Sequence, residues 1–158
     1  MKRKQKPLKT LSKLKKDLWK LVSIYVRVSE ANGEGLVRCV TCGKWLHWTK
    51  MQAGHFIDGR TNSILYDLRG VHPQDIRCNI FLSGNKVEYT LYMQKRYGQE
   101  VVDELRQLRK TEKKYLRHEL EDMIADFKER LKKYKHLTER KTSCMLVVCL
   151  KQPPTINR

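Results

Sequence analysis

Apolar positions at the start of the chain recur at helical spacing. Leu11, Leu14, Leu18, Leu21, Val22 and Tyr25 share one face, so an amphipathic helix is expected from Leu8 to about Ala31, stopped by Asn32-Gly33. The period then shortens. Residues 36–43 and 44–49 read as a short hairpin that Val37, Val40, Trp45 and Trp48 are placed to cover. Trp45, His47 and Trp48 suit either of two roles, stacking on bases or roofing a small core. Gly59 to Ser63 reads as a polar loop, Ile64-Leu65-Tyr66 as a short strand, and residues 79–82 as the start of a helix.

Lys86 to Tyr97 is expected to be helical and to stop at Gly98. Val101, Val102, Leu105 and Leu108 form the next helical stripe. Tyr115, Leu116, Leu120, Met123, Ile124, Phe127, Leu131 and Tyr134 form another, with Thr111 as its expected cap. This last stripe is long for so small a core. It must cover itself against a partner chain, which would make a homodimer, or against the N-terminal helix. Residues 144–150 are a strand-like run before Pro153-Pro154. The organisation read from this pattern is a basic arm over 1–7, a helix over 8–32, a core over 33–98, a basic helical region over 99–140 suited to dimerisation, and a tail over 141–158.

Charge narrows the class. With 34 Lys+Arg against 17 Asp+Glu, the formal charge is +17, so polyanions are strongly attracted and their binding should be salt-sensitive. Lys2, Arg3, Lys4, Lys13, Lys16, Arg60, Arg77 and Lys86 are the candidate phosphate contacts. For the lysines of the first helix, a solvated face is the plainer alternative. No apolar run approaches the roughly twenty residues of a membrane span, and no signal-peptide stretch opens the chain. The expectation is a cytoplasmic protein that does not associate with membranes.

Five cysteines in a reducing compartment favour metal over a disulfide framework. Cys39 and Cys42 stand at i and i+3, and Asp75 and Cys78 repeat that spacing, so two tight turns can close on one tetrahedral Zn²⁺. The segment between them carries His55, and Asn79 directly follows the last cysteine. An imidazole near its natural pKa can take a proton from water at neutral pH, and an amide oxygen can hold Mg²⁺ or Mn²⁺ against a phosphate. Hairpin, loop and helix around a metal outline a ββα-metal core. His72 is a second-rank candidate that could meet a phosphate, replace Asp75 on zinc, or pack beneath the knuckle. Asn85 could bind the ion, or Ser83-Gly84-Asn85 is ordinary turn chemistry. His47 is a further zinc alternative, Cys144 and Cys149 read as thiols outside the ligand set, and His118 and His136 as exposed.

From Cys39 to about Leu105 the chain resembles the phage recombination proteins called NinG or Rap. The matching residues are Cys39-Val-Thr-Cys42-Gly43, Ala53-Gly54-His55-Phe56, Val71-His72-Pro73-Gln74, Cys78-Asn79, Ser83-Gly84-Asn85, Tyr89, and Tyr97-Gly98-Gln99-Glu100 leading into Val102-Asp103-Glu104. The resemblance implies a phage-encoded, structure-specific endonuclease acting on branched recombination intermediates, Holliday junctions and D-loops among them, in the host cytoplasm. It also implies a distant likeness to the resolvase endonuclease VII, whose zinc-held His-Me core places an asparagine after its final zinc cysteine.

The chain departs from that pattern where the family typically shows Glu-Arg-Asn and a cysteine: here stand Leu68-Arg69-Gly70 and Asp75. Asp75 in place of a thiolate should lower zinc affinity. Related nucleases also commonly carry an acid before the histidine, where this chain has Gly54, so a carboxylate for the catalytic cation must come from Asp58 or Asp67. The expected molecule is an α+β domain, a zinc-stabilised ββα-metal (His-Me finger) core between long N- and C-terminal helices, cutting branched DNA in a Mg²⁺- or Mn²⁺-dependent reaction. The alternative is a zinc-structured protein that binds branched DNA without turnover.

Overall fold

A computed structural model describes residues 8–59 and 61–139. The basic arm with Lys2, Arg3 and Lys4, the residue Arg60, and the tail with its run over 144–150 lie outside the described residues.

Helix α1 spans Leu11–Ser29. It starts later than the apolar pattern suggests because Thr10 caps it, its hydroxyl accepting from the Lys13 amide at 3.2 Å. It ends before Asn32-Gly33, since Asn32 builds the following turn instead: its Oδ1 accepts from the amides of Glu34 and Leu36 at 3.0 and 2.9 Å. Strands β1 (Leu36–Arg38) and β2 (Trp45–His47) form the expected hairpin, paired antiparallel with Val37 opposite Leu46.

A second antiparallel pair, β3 (Met51–His55) and β4 (Val71–Asp75), is not foreseen by the alternation of polar and apolar residues. It sets Gly54 opposite His72 and His55 opposite Val71. The expected strand at Ile64-Leu65-Tyr66 is absent, and those residues form turns. Ile64 and Tyr66 are nonetheless buried, and the Tyr66 hydroxyl donates to the Lys15 carbonyl at 3.0 Å, so their hydrophobicity anchors the loop to α1. After β4 a wide π-helical turn, Arg77–Phe81, carries Cys78 and Asn79. Then follow α2 (Lys86–Tyr97), α3 (Gln99–Leu108), α4 (Arg117–Lys132) and the short α5 (Lys135–Thr138). The fold class is α+β, with two small sheets held among helices.

Among the described residues, three apolar clusters form the core. Leu14, Leu18, Val22 and Val26 of α1 pack with Tyr115, Leu120 and Phe127. Tyr115, Leu120 and Phe127 of the stripe are therefore covered by the N-terminal helix, Met123 and Ile124 pack partly buried beside them, and Leu116 is exposed. Thr111 does not cap α4. Its hydroxyl donates back to Leu108, while the Leu116 amide at the start of α4 is met by Glu119 Oε2 at 2.7 Å. Phe56, Tyr89, Met93, Val102 and Leu105 join α2 and α3, and Val37, Cys39, Met51 and Cys78 form a small cluster beneath the first hairpin. Among the described residues no helix is long and apolar enough to cross a membrane.

Candidate functional site

Three thiols meet where the hairpin of β1 and β2 touches the π-helical turn. The Sγ atoms of Cys39, Cys42 and Cys78 all lie within 4.8 Å of one another. Thiolates on one tetrahedral zinc stand about 3.8 Å apart, so a small contraction seats the ion. The first knuckle is shaped by Gly43 at φ +75°, whose amide donates to the Cys39 carbonyl at 3.0 Å, while the Cys39 amide donates to Lys44 O at 2.8 Å. Burial pushes the Cys39 thiol up, but donation from Thr41 and from the backbone of Asp75, Cys42 and Thr41 outweighs it and holds it below the ordinary value. Burial, with the neighbouring sulfurs of Cys39 and Cys78 adding to it, pushes Cys42 up to about 11. Such a set cannot ionise together without a cation among the sulfurs, and a soft divalent ion fits it.

Asp75 is not part of that group. Its amide donates to Cys39 Sγ at 3.2 Å, but its carboxylate faces Lys44 Nζ at 3.7 Å, because its position in β4 serves the strand backbone and turns the side chain to the basic flank. His47 also stays apart, its Nδ1 paired with Thr49 Oγ1 at 2.8 Å. His72 meets neither a metal group nor the cleft. It is buried, with Nδ1 3.3 Å from Glu30 and Nε2 3.1 Å from the Arg69 carbonyl, and rings of Tyr89, Tyr92 and Tyr97 surround it. Of its three readings, packing is the one seen, with the tyrosines of α2 as its neighbours.

Beside the thiols opens a cleft of about 520 Å³ lined by Trp19, Gln52, His55, Asp58, Asn79 and Lys86 with their neighbours. His55 ends β3 and brings its ring to this cleft. Its Nε2 lies 3.2 Å from the Leu65 carbonyl, which can only accept, so Nε2 is the donor in this contact. Trp19 stacks on the imidazole, with ring centroids 4.7 Å apart at 22°. Asn79 enters from the π-helical turn. Its Nδ2 donates to Gln52 Oε1 at 2.6 Å, which commits the donor end of the amide and leaves the carbonyl oxygen for a cation.

The two candidate carboxylates separate. Asp58 lines the cleft, where Lys86 Nζ holds it at 2.8 Å while also donating to Phe56 O and His55 O at 2.9 and 3.3 Å. Lys86 thus ties α2 to the loop after β3 before it can meet a phosphate. Asp67 is spent on structure: it accepts from the amide, Nε and Nη2 of Arg69, whose guanidinium continues to Glu104. Asn85 adopts φ +47°, ψ 58° at the start of α2 with no capping bond from its side chain, so turn geometry explains it. Lys13 pairs with Asp17 at 3.4 Å, Lys16 and Arg77 are exposed, and His118 and His136 are exposed as expected.

Three contributors escape the pattern of the sequence. Trp19 belongs to α1 beside its apolar stripe, and only the close approach of β3 reveals its role. Arg27, two turns on, reaches the same cleft and donates to Ser23 O, Trp48 O and Met51 O; burial lowers its pKa. Gln74 is fully buried, and its Nε2 donates to Gly84 O at 2.9 Å and Thr41 Oγ1 at 3.3 Å. Its Oε1 lies against Gly54 and has no hydrogen-bond partner among the described residues.

The family model described as Bacteriophage Lambda NinG protein matches residues 1–139. Protein ninG of Escherichia phage 933W is 37% identical over 68 residues, 42% of this chain and 33% of that protein. Protein ninG of Escherichia phage lambda is 35% identical over the same shares, and that of Salmonella phage P22 is 30% identical over 95 residues, 60% of this chain and 46% of that protein. The matches thus span 33% to 46% of the length of these relatives. No solved structure matches the chain.

Proposed function

The chain belongs to the Bacteriophage Lambda NinG family, and from that premise we propose that it is a structure-specific endonuclease that hydrolyses phosphodiesters in branched recombination intermediates such as Holliday junctions and D-loops. One observation carries the reading: a histidine shares a single cleft with an asparagine from the turn after the β3–β4 pair, and that asparagine directly follows a cysteine of the three-thiol group. Hairpin β3–β4 followed by the Arg77–Phe81 turn supports a ββα-metal core, and the charge of +17 supports a nucleic-acid substrate.

In this reading Cys39, Cys42 and Cys78 hold Zn²⁺ and fix the knuckle. Asn79 Oδ1 would hold Mg²⁺ or Mn²⁺, with Asp58 the nearest candidate acid. The cation supplies neutralisation of the charge that builds on the phosphate. His55 takes a proton from water, its Nε2 held by Leu65 O and its plane by Trp19. Arg27 adds fixed positive charge to the wall of the cleft.

A second reading, binding of branched DNA without turnover, has its own support: Gly54 supplies no acid, Asp67 is tied to Arg69, and Asp58 is tied to Lys86. A synthetic four-way junction separates the two. Nicking that requires Mg²⁺ or Mn²⁺ and is lost in His55→Ala, with binding retained, supports the nuclease; binding without any divalent-dependent cleavage supports the second reading.

A further inference from the structure

The turn that carries Asn79 displays what a folded chain normally hides. Ile80, Phe81 and Leu82 are 55%, 75% and 46% exposed, and Ile76 before them is 46% exposed. Ile80, Phe81 and Leu82 lie between Asn79 and Gly84, both of which line the cleft, so the apolar segment adjoins it. It is also rigid. Ser83, Gly84 and Asn85 all take positive φ, at 48°, 85° and 47°, a costly run for two non-glycine residues. The run is held by Gly84 N donating to Cys78 O at 2.9 Å, Asn85 N to Leu82 O at 2.8 Å, and the buried Gln74 amide donating to Gly84 O at 2.9 Å. The exposed segment is thus anchored at its C-terminal end to the core.

Charge says what this ridge meets. Arg77 is exposed in the same turn, in a chain of net charge +17. A second copy would bring like charge against like. DNA brings the opposite charge, and its apolar parts are the base faces, which stacking hides along a duplex and a branch point uncovers. We propose that Ile80, Phe81 and Leu82 form an apolar wedge that inserts against unstacked bases at the branch point of DNA, while the adjoining cleft receives a backbone phosphate. The wedge rests on the branched-DNA reading given above and explains how one cleft selects a junction over linear duplex: the duplex has the same phosphates but offers the wedge no open step.

The test uses the full chain and a four-way junction with thymines at the branch, in Ca²⁺ so that strands stay intact, with permanganate reporting unstacked thymines. The wild type should raise reactivity at the branch severalfold. Phe81→Ser should remove that increase and weaken junction affinity on the order of tenfold, as loss of one base-stacking contact does, with linear-duplex affinity and thermal melting unchanged. Phe81→Trp should keep both. Bound junction without enhanced reactivity, no binding of the junction, or equal behaviour of Phe81→Ser and wild type overturns the wedge. So does light scattering that shows Phe81→Ser converting a dimer to a monomer, since the ridge would then be an interface between copies. Cleavage of the same junction in Mg²⁺ is scored separately: cutting without branch-point reactivity removes only the wedge, and reactivity without cutting removes only the nuclease.

Discussion

Gly54 shows how one residue decides what the cleft can contain. From the sequence, a glycine before the base reads as a place where backbone comes close. The reason is a side chain: a Cβ at this position would stand 2.0 Å from Gln74 Oε1 and 2.9 Å from Asn79 Oδ1. An acid before the histidine therefore has no room here, because the buried glutamine fills its space. Gly54→Ala should destabilise the fold by about 1–3 kcal/mol, the usual cost of overpacking a rigid site, and should slow cleavage more than it weakens junction binding. Urea unfolding and single-turnover rates check the two halves; an alanine variant as stable and fast as the parent would mean that Gln74 moves freely. Gly70 behaves differently. A Cβ there meets Leu105 at an ordinary 3.6 Å, so the first carbon of a side chain fits at this buried position. If an asparagine braces the loop bearing His55, Gly70→Asn should raise turnover while leaving binding unchanged. Single-turnover cleavage at saturating protein is the measurement. A variant no faster than the parent would show that Trp19 and Leu65 already hold the ring.

Among the elements, the helices were legible and the second sheet was not. A 3.6-residue period in α1, α2 and α4 survives because each helix buries one face, and Gly98 at φ +84° stops α2 where the sequence says it should. Strands β3 and β4 carry Gly, His, Pro, Gln and Asp at positions that face other elements on both sides, so no alternation marks them. Their pairing is a tertiary outcome. The knuckle spacing made the cysteines legible, yet the same spacing misplaced Asp75, since i and i+3 fixes where a backbone turns and leaves side-chain direction open. The stripe of α4 was legible as apolar and ambiguous in partner. Leu18 and Leu120 are both fully buried between α1 and α4, so Leu120→Ala should cost about 2–5 kcal/mol in unfolding free energy. Light scattering should show the same oligomeric state before and after the change. A switch in that state would return the stripe to the role of a face between chains; otherwise any dimer that acts on two strands of a junction must be built elsewhere.

At the scale of the molecule, the metal group and the cleft are one mechanical unit. Two of the four buried residues beneath the first hairpin, Cys39 and Cys78, are candidate ligands, and a third, Met51, begins the strand that ends at His55. Cys78 also precedes Asn79. With so few apolar contacts, this corner depends on its ion far more than the α1–α4 pair does. Zinc bound at neutral pH must displace protons, at least one of them from Cys42, whose thiol is pushed up to about 11 when no cation is near. Uptake should therefore release protons and strengthen as pH rises, because fewer protons then compete for the sulfurs. On the nuclease reading, removing zinc should slow cleavage even though the thiol group does not line the cleft. Hydrogen exchange should locate the reason: amides from Leu36 to His47 and from Arg77 to Asn85 should lose protection on chelation, while those of α1 and α4 keep theirs. Uniform loss across all helices would mean that the thiol corner supports the whole fold, and unchanged exchange would mean that the three cysteines hold no structural metal.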